Sequence, residues 1–465
     1  MFHKIAILVF ASVLAATTID DATRRLSRDI LEELIGINTT DSVGSTTAAA
    51  NAMAKRLQDA GFPPGDVKVL GPNDRKGNMV ARLHGSGASG LRPILLIGHL
   101  DVVEARRTDW TTDPFHLVEK DGWFYGRGTQ DMKSAAVALI TAFIRLHREG
   151  FQPNRDLILA LTADEEGGKW NGVNWLLKNH RDLIDAAFVL NADAGGVTTM
   201  NGKPVNVDVE ASEKLYADFQ LTATNPGGHS SLPVPDNAIY HISDALSRLE
   251  HAQFPVELND VTRTYFERRA PLESPEVKAD MTAILHNPPD AAAVARLSKD
   301  PRYNSLLRTT CVATRLTAGH ANNALPQTAQ ANVNCRILPG HSQEDVRQRL
   351  IEIFADPEVA VRLDTSNGLV KGFAPLLPPA EVLQPLERVA AEMWPGAPVI
   401  PEMETGASDS VYTMAAGIPS YGINGLAIDQ DDVRAHGKDE RVRVAAFYDG
   451  VEFYYRYLKA LSSAQ

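Results

Sequence analysis

The chain has 465 residues and a formal net charge of −12, with 46 Lys and Arg against 58 Asp and Glu. It therefore lacks the basic footprint of a nucleic-acid binder, which argues against nucleic acid as a partner. The length exceeds what one hydrophobic core usually organises, so two domains are expected.

Taken in chain order, Lys4 precedes an apolar run over 5–16 and the small residues Ala15, Ala16 and Thr17. A charged start, an apolar middle and a small-residue exit form the pattern of a secretory signal, read here as 1–19. The run is too short to span a bilayer comfortably, and no later stretch is long and apolar enough to do so. The mature chain is thus expected to be exported, periplasmic or secreted, with no stable membrane span once the signal is removed. An uncleaved anchor is the alternative. Leu26, Ile30, Leu31, Leu34 and Ile35 recur at helical spacing and predict an amphipathic opening helix; 48–60 predicts a second, ending at Gly61.

Three aliphatic runs then end in polar, chemically active groups. Run 94–97 leads into Gly98-His99-Leu100-Asp101, run 157–161 into Asp164-Glu165-Glu166, and run 188–190 into Asn191-Ala192-Asp193. Such runs read as buried parallel strands, and open α/β sheets place their working residues beyond the strands' carboxyl ends. Between the first two, 131–150 is rich in Ala and Leu and closes at Gly150 with Pro153 beyond, which predicts a buried helix. Asp131 stands at its amino end, where backbone N–H groups favour a capping carboxylate.

The alternation over 68–193 predicts an α/β fold, a mixed and mostly parallel sheet flanked by helices. The pattern changes near Ser212. A strand over 215–224 leads to Pro226-Gly227-Gly228-His229-Ser230-Ser231, a helix over 237–249, a long polar helical stretch, strands over 309–316 and 329–338, a helix over 343–354 and a strand over 359–364. The Pro-rich 373–379 reads as the return crossing. This assigns 20–211 and 371–465 to two parts of a main domain and 212–370 to an inserted α+β domain. Cys311 and Cys335 lie on the two strands before the last helix of the insert; a cross-strand disulfide and two unpaired half-buried thiols both suit that placement.

Adjacent carboxylates, an imidazole and further isolated carboxylates, all delivered to one rim, are poorly tolerated unless cations neutralise them. A metal centre is the simplest remedy. Imidazole and carboxylate ligands without a nearby cysteine favour Zn, with Co or Mn open from ligand type alone.

Six strings in order resemble the M20 metallopeptidases, a family of carboxypeptidases, dipeptidases and aminoacylases. They are His99-Leu100-Asp101, Gly126-Arg127-Gly128-Thr129-Gln130-Asp131-Met132-Lys133, Asp164-Glu165-Glu166, Gly227-Gly228-His229-Ser230-Ser231, Asn323-Ala324-Leu325-Pro326 and His436-Gly437-Lys438-Asp439-Glu440-Arg441. The resemblance implies a zinc-dependent exopeptidase-like catalytic domain with an inserted lid and dimerisation domain, and hence a homodimer through the insert. It implies two divalent ions sharing Asp131, the first also held by His99 and Asp193 and the second by Glu166 and His436. Asp101 would sit behind His99 and fix its ring, and Glu165 would be general base and acid. His229 would meet the tetrahedral oxyanion, often across a dimer. Asn323 and Arg336 would lie near the substrate carboxylate, which suits the planar fork of Arg, and Gly406 in the Thr405-Gly406-Ala407-Ser408-Asp409 turn would line the same pocket. Two departures stand out: Asp193 where many relatives have Glu, a feature resembling dipeptidase and aminopeptidase members, and Ser134 where a Gly is common.

The implied reaction is metal-dependent hydrolysis of peptide bonds in small peptides, by an exopeptidase or dipeptidase, using water activated between two metal ions. Aminoacylase-like hydrolysis of N-acyl amino acids is the alternative. A metal-dependent binding protein without turnover is the alternative of another class, and Glu165 argues against it, because a binder has no use for a base beside its ligands. Each residue also has a plainer reading. His229 suits a loop after a Gly-Gly turn, Arg336 an ion pair, Asn323 a turn before Pro326, and Glu165-Glu166 a solvated strand end. Gly126-Arg127-Gly128 lacks the rest of a phosphate-loop fingerprint.

Overall fold

In the computed structural model, residues 19–365 and 372–463 are described. Residues 1–18 of the expected 1–19 signal and the expected return boundary at 370–371 lie outside them. Among the described residues no helix is long and apolar enough to cross a membrane.

The three aliphatic runs form adjacent strands, Ile94–His99, Leu157–Thr162 and Phe188–Asn191, and every residue in them is buried. Ile94 pairs in parallel register with both Leu157 and Phe188. Strands covered on both faces need apolar side chains at every position, which is why they read as unbroken runs. The sheet continues through Asn78–Leu83, antiparallel, to Val67–Leu70 on one side. On the other it runs through Ser420–Gly422, Lys203–Glu213, Gly196–Met200 and Ala427–Asp429, with Val399–Glu404 parallel to Lys203–Glu213, giving ten strands. The result is the expected mixed α/β sheet.

Period-two alternation divides its residues between two layers. Ile94 and Leu96 face the larger core, with Leu31 and Leu34 of helix Asp21–Gly36, Ile140 and Phe143 of helix Lys133–Arg148, and Phe447 and Val451 of helix Val444–Ser462. Leu95 and Ile97 face Val173, Leu176 and Ile184 on the opposite side. One expectation is corrected at the helix start. Helix Lys133–Arg148 has Met132 in its N-cap position and no side-chain cap, so Asp131 does not cap it. The side chain of Asp131 is engaged elsewhere.

A second, four-stranded antiparallel sheet has the order Thr310–Ala318, Thr328–Ile337, Leu215–Thr224, Ala360–Leu363. Helices Ala238–His251 and Gln343–Phe354 cover it through Ile242, Leu350 and Phe354. Cys311 and Cys335 occupy paired positions on its first two strands and form a disulfide. The polar stretch before them folds into four short helices, Asp260–Arg269, Pro275–Ala283, Ala291–Leu297 and Pro301–Leu307. Their apolar residues, including Phe266, Met281 and Leu307, pack on Ile400 and Met403 of the main sheet.

Candidate metal centre

His99 is the last residue of its strand. Its Nδ1 donates to the backbone carbonyl of Asp101 at 3.0 Å, which turns Nε2 toward Asp131 Oδ1 at 3.1 Å and Asp193 Oδ1 at 3.4 Å. The other oxygen of Asp131 faces His436 Nε2 at 3.0 Å, and that same nitrogen lies 2.9 Å from Glu166 Oε2. The Asp131 carboxylate is thus shared between two groups, His99, Asp131, Asp193 and Asp131, Glu166, His436. Within each, one candidate ligand atom per residue lies within 4.8 Å of the others. The structure brings all five proposed ligands into one small volume.

The residues behind this set hold it in shape. Asp101 accepts from the backbone N–H groups of Glu165 at 3.2 Å and Glu166 at 3.0 Å. Its carboxylate therefore anchors the 165–166 backbone and stands 3.7 Å from His99 Nδ1, while its carbonyl accepts the hydrogen bond that orients the His99 ring. Burial raises the Asp101 carboxyl to about 7, with His99 opposing. Just before Glu165, Asp164 turns the chain at φ 56° and forms a buried ion pair with Lys76. Asp409 accepts from Asn171 at 2.5 Å and Thr162 at 3.2 Å, and burial lifts it to about 6.

The electrostatics ask for positive charge. Hydrogen bonds to Asp131 and then Glu166 push His436 up to about 10. Burial alone would lower His99, but the Asp193 charge and the Asp131 hydrogen bond overcome it and raise it well above its ordinary value. Glu166 Oε1 is buried without a hydrogen-bond partner. Two imidazoles and three carboxylates whose field draws in cations, with an orphaned carboxylate oxygen among them, fit a pair of divalent ions. Glu165 belongs to neither ligand group, and burial followed by the charge of Asp193 raises its carboxyl well above the usual range.

Asp131, Glu165, Glu166, Asp193 and His436 line a cavity of about 880 Å³ that also includes Gly406. His229 and Asn323 do not line it. His229 is exposed on the two-residue strand Gly228–His229, paired with Ala324–Leu325, and its Nδ1 accepts from the Ser231 hydroxyl at 2.8 Å. Asn323 directly precedes Ala324, the residue paired with His229, and its carbonyl accepts from Ser230 N at 3.1 Å. Arg336 is also away from the cavity lining, its guanidinium 4.8 Å from the centre of the Tyr216 ring, a cation–π contact.

Sequence reasoning missed two features. Glu440, fully buried, accepts from Arg127 and from three backbone N–H groups of the 126–131 loop. An acidic wall, Asp208, Glu210, Glu213, Glu402 and Glu404, lines the cavity beside the ligands. Its signal was present in Asp208-Val209-Glu210 and Glu402-Met403-Glu404, carboxylates at the period of a strand with one acidic face.

Residues 95–460 match the model of peptidase family M20/M25/M40. The chain is 29% identical over 374 residues to the N-fatty-acyl-amino acid synthase/hydrolase PM20D1 of Xenopus tropicalis, covering 78% of this chain and 71% of that one. It is 28% identical over 377 residues to the probable carboxypeptidase S-like 2 of Dictyostelium discoideum, covering 79% and 72%. Among solved structures, the M20 family metallo-carboxypeptidase Sso-CP2 of Sulfolobus solfataricus superposes with a TM-score of 0.70 at 17% identity, covering 96% of this chain and all of that one. With this fold and two ligand groups sharing one aspartate, the chain belongs to peptidase family M20/M25/M40, hydrolases of peptide and amide bonds whose members include dinuclear metal-binding peptidases.

Proposed function

We propose that this chain hydrolyses small peptides as an exopeptidase or dipeptidase, with His99, Asp131, Asp193, Glu166 and His436 holding two divalent ions, zinc foremost. The carrying observation is the Asp131 carboxylate, whose two oxygens face His99 and His436 separately. When bound, such an ion pair acidifies water and polarises a scissile carbonyl. The chain's own residues supply the proton path. Glu165 stands beside the ligands without joining them, tethered through its backbone by Asp101. Its raised basicity suits a carboxylate that takes a proton from water and passes it to the leaving amine, a step worth a factor of about 100 to 10,000.

A second reading, hydrolysis of N-acyl amino acids, is favoured by the likeness to the synthase/hydrolase of N-fatty-acyl amino acids. In either reading Asn323 and Arg336 serve the substrate carboxylate and His229 the oxyanion. The ribbon that carries His229 and Asn323 outside its own cavity supports their acting from a second copy, in a homodimer through the insert. The disulfide supports export to an oxidising compartment.

The test is Glu165→Gln. The variant is expected to keep about two equivalents of metal by elemental analysis and to lose at least about 100-fold in turnover of a dipeptide panel. Retained turnover removes Glu165 from its role. N-acetyl amino acids run beside the dipeptides rank the two substrate readings, and a clear preference for the acylated set puts the second one first.

A further inference from the structure

The acidic wall has no part in the proton path above. Lys203–Glu213 and Val399–Glu404 run side by side in parallel, with Glu402 beside Glu210 and Glu404 beside Glu213. Asp208 joins Glu210 by strand periodicity, and all five carboxylates line the cavity that holds Asp131, Glu165, Glu166 and Asp193. Glu210 and Glu213 are 1% and 0% exposed. Neither carboxylate oxygen of Glu210 has a hydrogen-bond partner. Glu213 accepts from Ser408 N at 2.8 Å through Oε2 and leaves Oε1 without one. Glu402 and Glu404 hydrogen-bond to each other. The basic residues of the lining are Arg302, which stands 3.9 Å from Glu402, and His436, which is engaged with Asp131 and Glu166.

Asp208 accepts from Thr198 at 2.7 Å and Asn206 at 2.5 Å, whereas the buried, unpartnered oxygens of Glu210 and Glu213 are unfavourable unless a cation meets them. A metal ion needs several ligand atoms converging on one point, and among the described residues such convergence occurs in the two groups around Asp131 and not in the wall. Carboxylates spread along two strands instead suit a cation whose donors point several ways, an ammonium or a guanidinium. Because wall and ligands share one cavity, that cation and the scissile amide fit on one molecule.

We propose that Asp208, Glu210, Glu213, Glu402 and Glu404 form a substrate subsite that binds a protonated amine or guanidinium, so that this chain prefers peptides bearing a cationic group to neutral acylated ones. The inference rests on the amide-hydrolase reading of the adjoining centre. Burial, and then the neighbouring carboxylates, push Glu210 well above the ordinary range, so an arriving cation is what holds the wall ionised.

Three substrates with the same scissile bond test it on the ion-loaded full chain: norleucyl-alanine, with an α-ammonium only; N-acetyl-norleucyl-alanine, with no cation; and N-acetyl-lysyl-alanine, with a side-chain ammonium only. At least one cationic substrate is expected to exceed the neutral one by about tenfold or more in kcat/KM, the scale of one charge-assisted hydrogen bond, and which one does identifies the source of the amine. Glu210→Gln is expected to reduce that ratio by most of its value, with Glu402→Gln as a second variant should the first fail to fold. Equal kcat/KM on all three overturns the subsite and leaves the hydrolase reading standing. No turnover of any of them overturns the peptidase reading instead. Calorimetric titration then judges the subsite without turnover: N-acetyl-lysinamide is expected to bind about tenfold or more tightly than N-acetyl-norleucinamide. Equal binding, or a third equivalent of metal that Glu210→Gln removes, overturns the amine assignment.

Discussion

Glu440 takes four donors on its two oxygens, Arg127 Nη1 at 2.6 Å and Gly128 N at 3.1 Å on one, and Gln130 N at 2.7 Å and Asp131 N at 3.1 Å on the other. From there Arg127 donates to the carbonyl of Gly437 at 2.9 Å, next to His436. One buried carboxylate therefore ties the backbone of the shared ligand to the loop of another. Glu440→Ala leaves Arg127 buried without its partner. Its expected effect is a loss of about 3–5 kcal/mol in denaturant unfolding and about 10- to 100-fold weaker metal retention against a competing chelator. The string His436-Gly437-Lys438-Asp439-Glu440-Arg441 was visible in the sequence, yet only His436 received a role. Glu440 serves groups about 310 positions away, and spacing cannot report such a partner.

At the scale of elements, the Cys311–Cys335 disulfide pins the outer strand Thr310–Ala318 to its neighbour. That strand is exposed over most of its length, so apolar burial contributes little to holding it. With the cysteines 24 positions apart in sequence, Cys311→Ser is expected to remove about 3 kcal/mol of stability, mainly by freeing the unfolded chain. Thermal unfolding of the variant, and of the parent with and without reductant, checks it. Strand Leu215–Thr224 and helix Gln343–Phe354 coincide with their sequence-based bounds, because each shows its own period against one apolar layer. The helices over 260–307 were legible only as one polar stretch. Each supplies few apolar residues to a core that Ile400 and Met403, far along the chain, complete.

At the scale of the molecule, Lys214 is the single residue between Lys203–Glu213 of the main sheet and Leu215–Thr224 of the second. Its backbone N–H donates to Glu404 O at 3.0 Å and its Nζ to Arg308 O at 2.7 Å, so it joins the main sheet, the second sheet and the short helices. Burial pulls its ammonium down to about 7. The unfolded chain keeps that proton up to about 10.4. Between these values the unfolded state binds the extra proton, so the stability tied to Lys214 rises with pH and is lost as pH falls toward 7. Lys214→Met is therefore expected to flatten the pH dependence of unfolding between about pH 7 and 10, by up to about 1.4 kcal/mol per unit. Parallel urea titrations of parent and variant across that range measure the difference, and identical slopes refute the linkage.

From its own pattern the chain determined the strands that carry the centre, the helices against them and the residue types at the strand ends, because periods of 2 and 3.6 are properties of the local backbone. The six strings added His436, which no local pattern could place. Tertiary structure alone decided how those groups meet. The resemblance implied that Asp131 is shared, but the separate facing of its two oxygens toward His99 and His436, the hold of the Asp101 carboxylate on the 165–166 backbone and the clamp of Glu440 all depend on distances between segments far apart in sequence. The acidic wall depends on register as well. Glu210 and Glu402 are nearly two hundred positions apart, and parallel pairing of their strands puts both carboxylates beside one cavity.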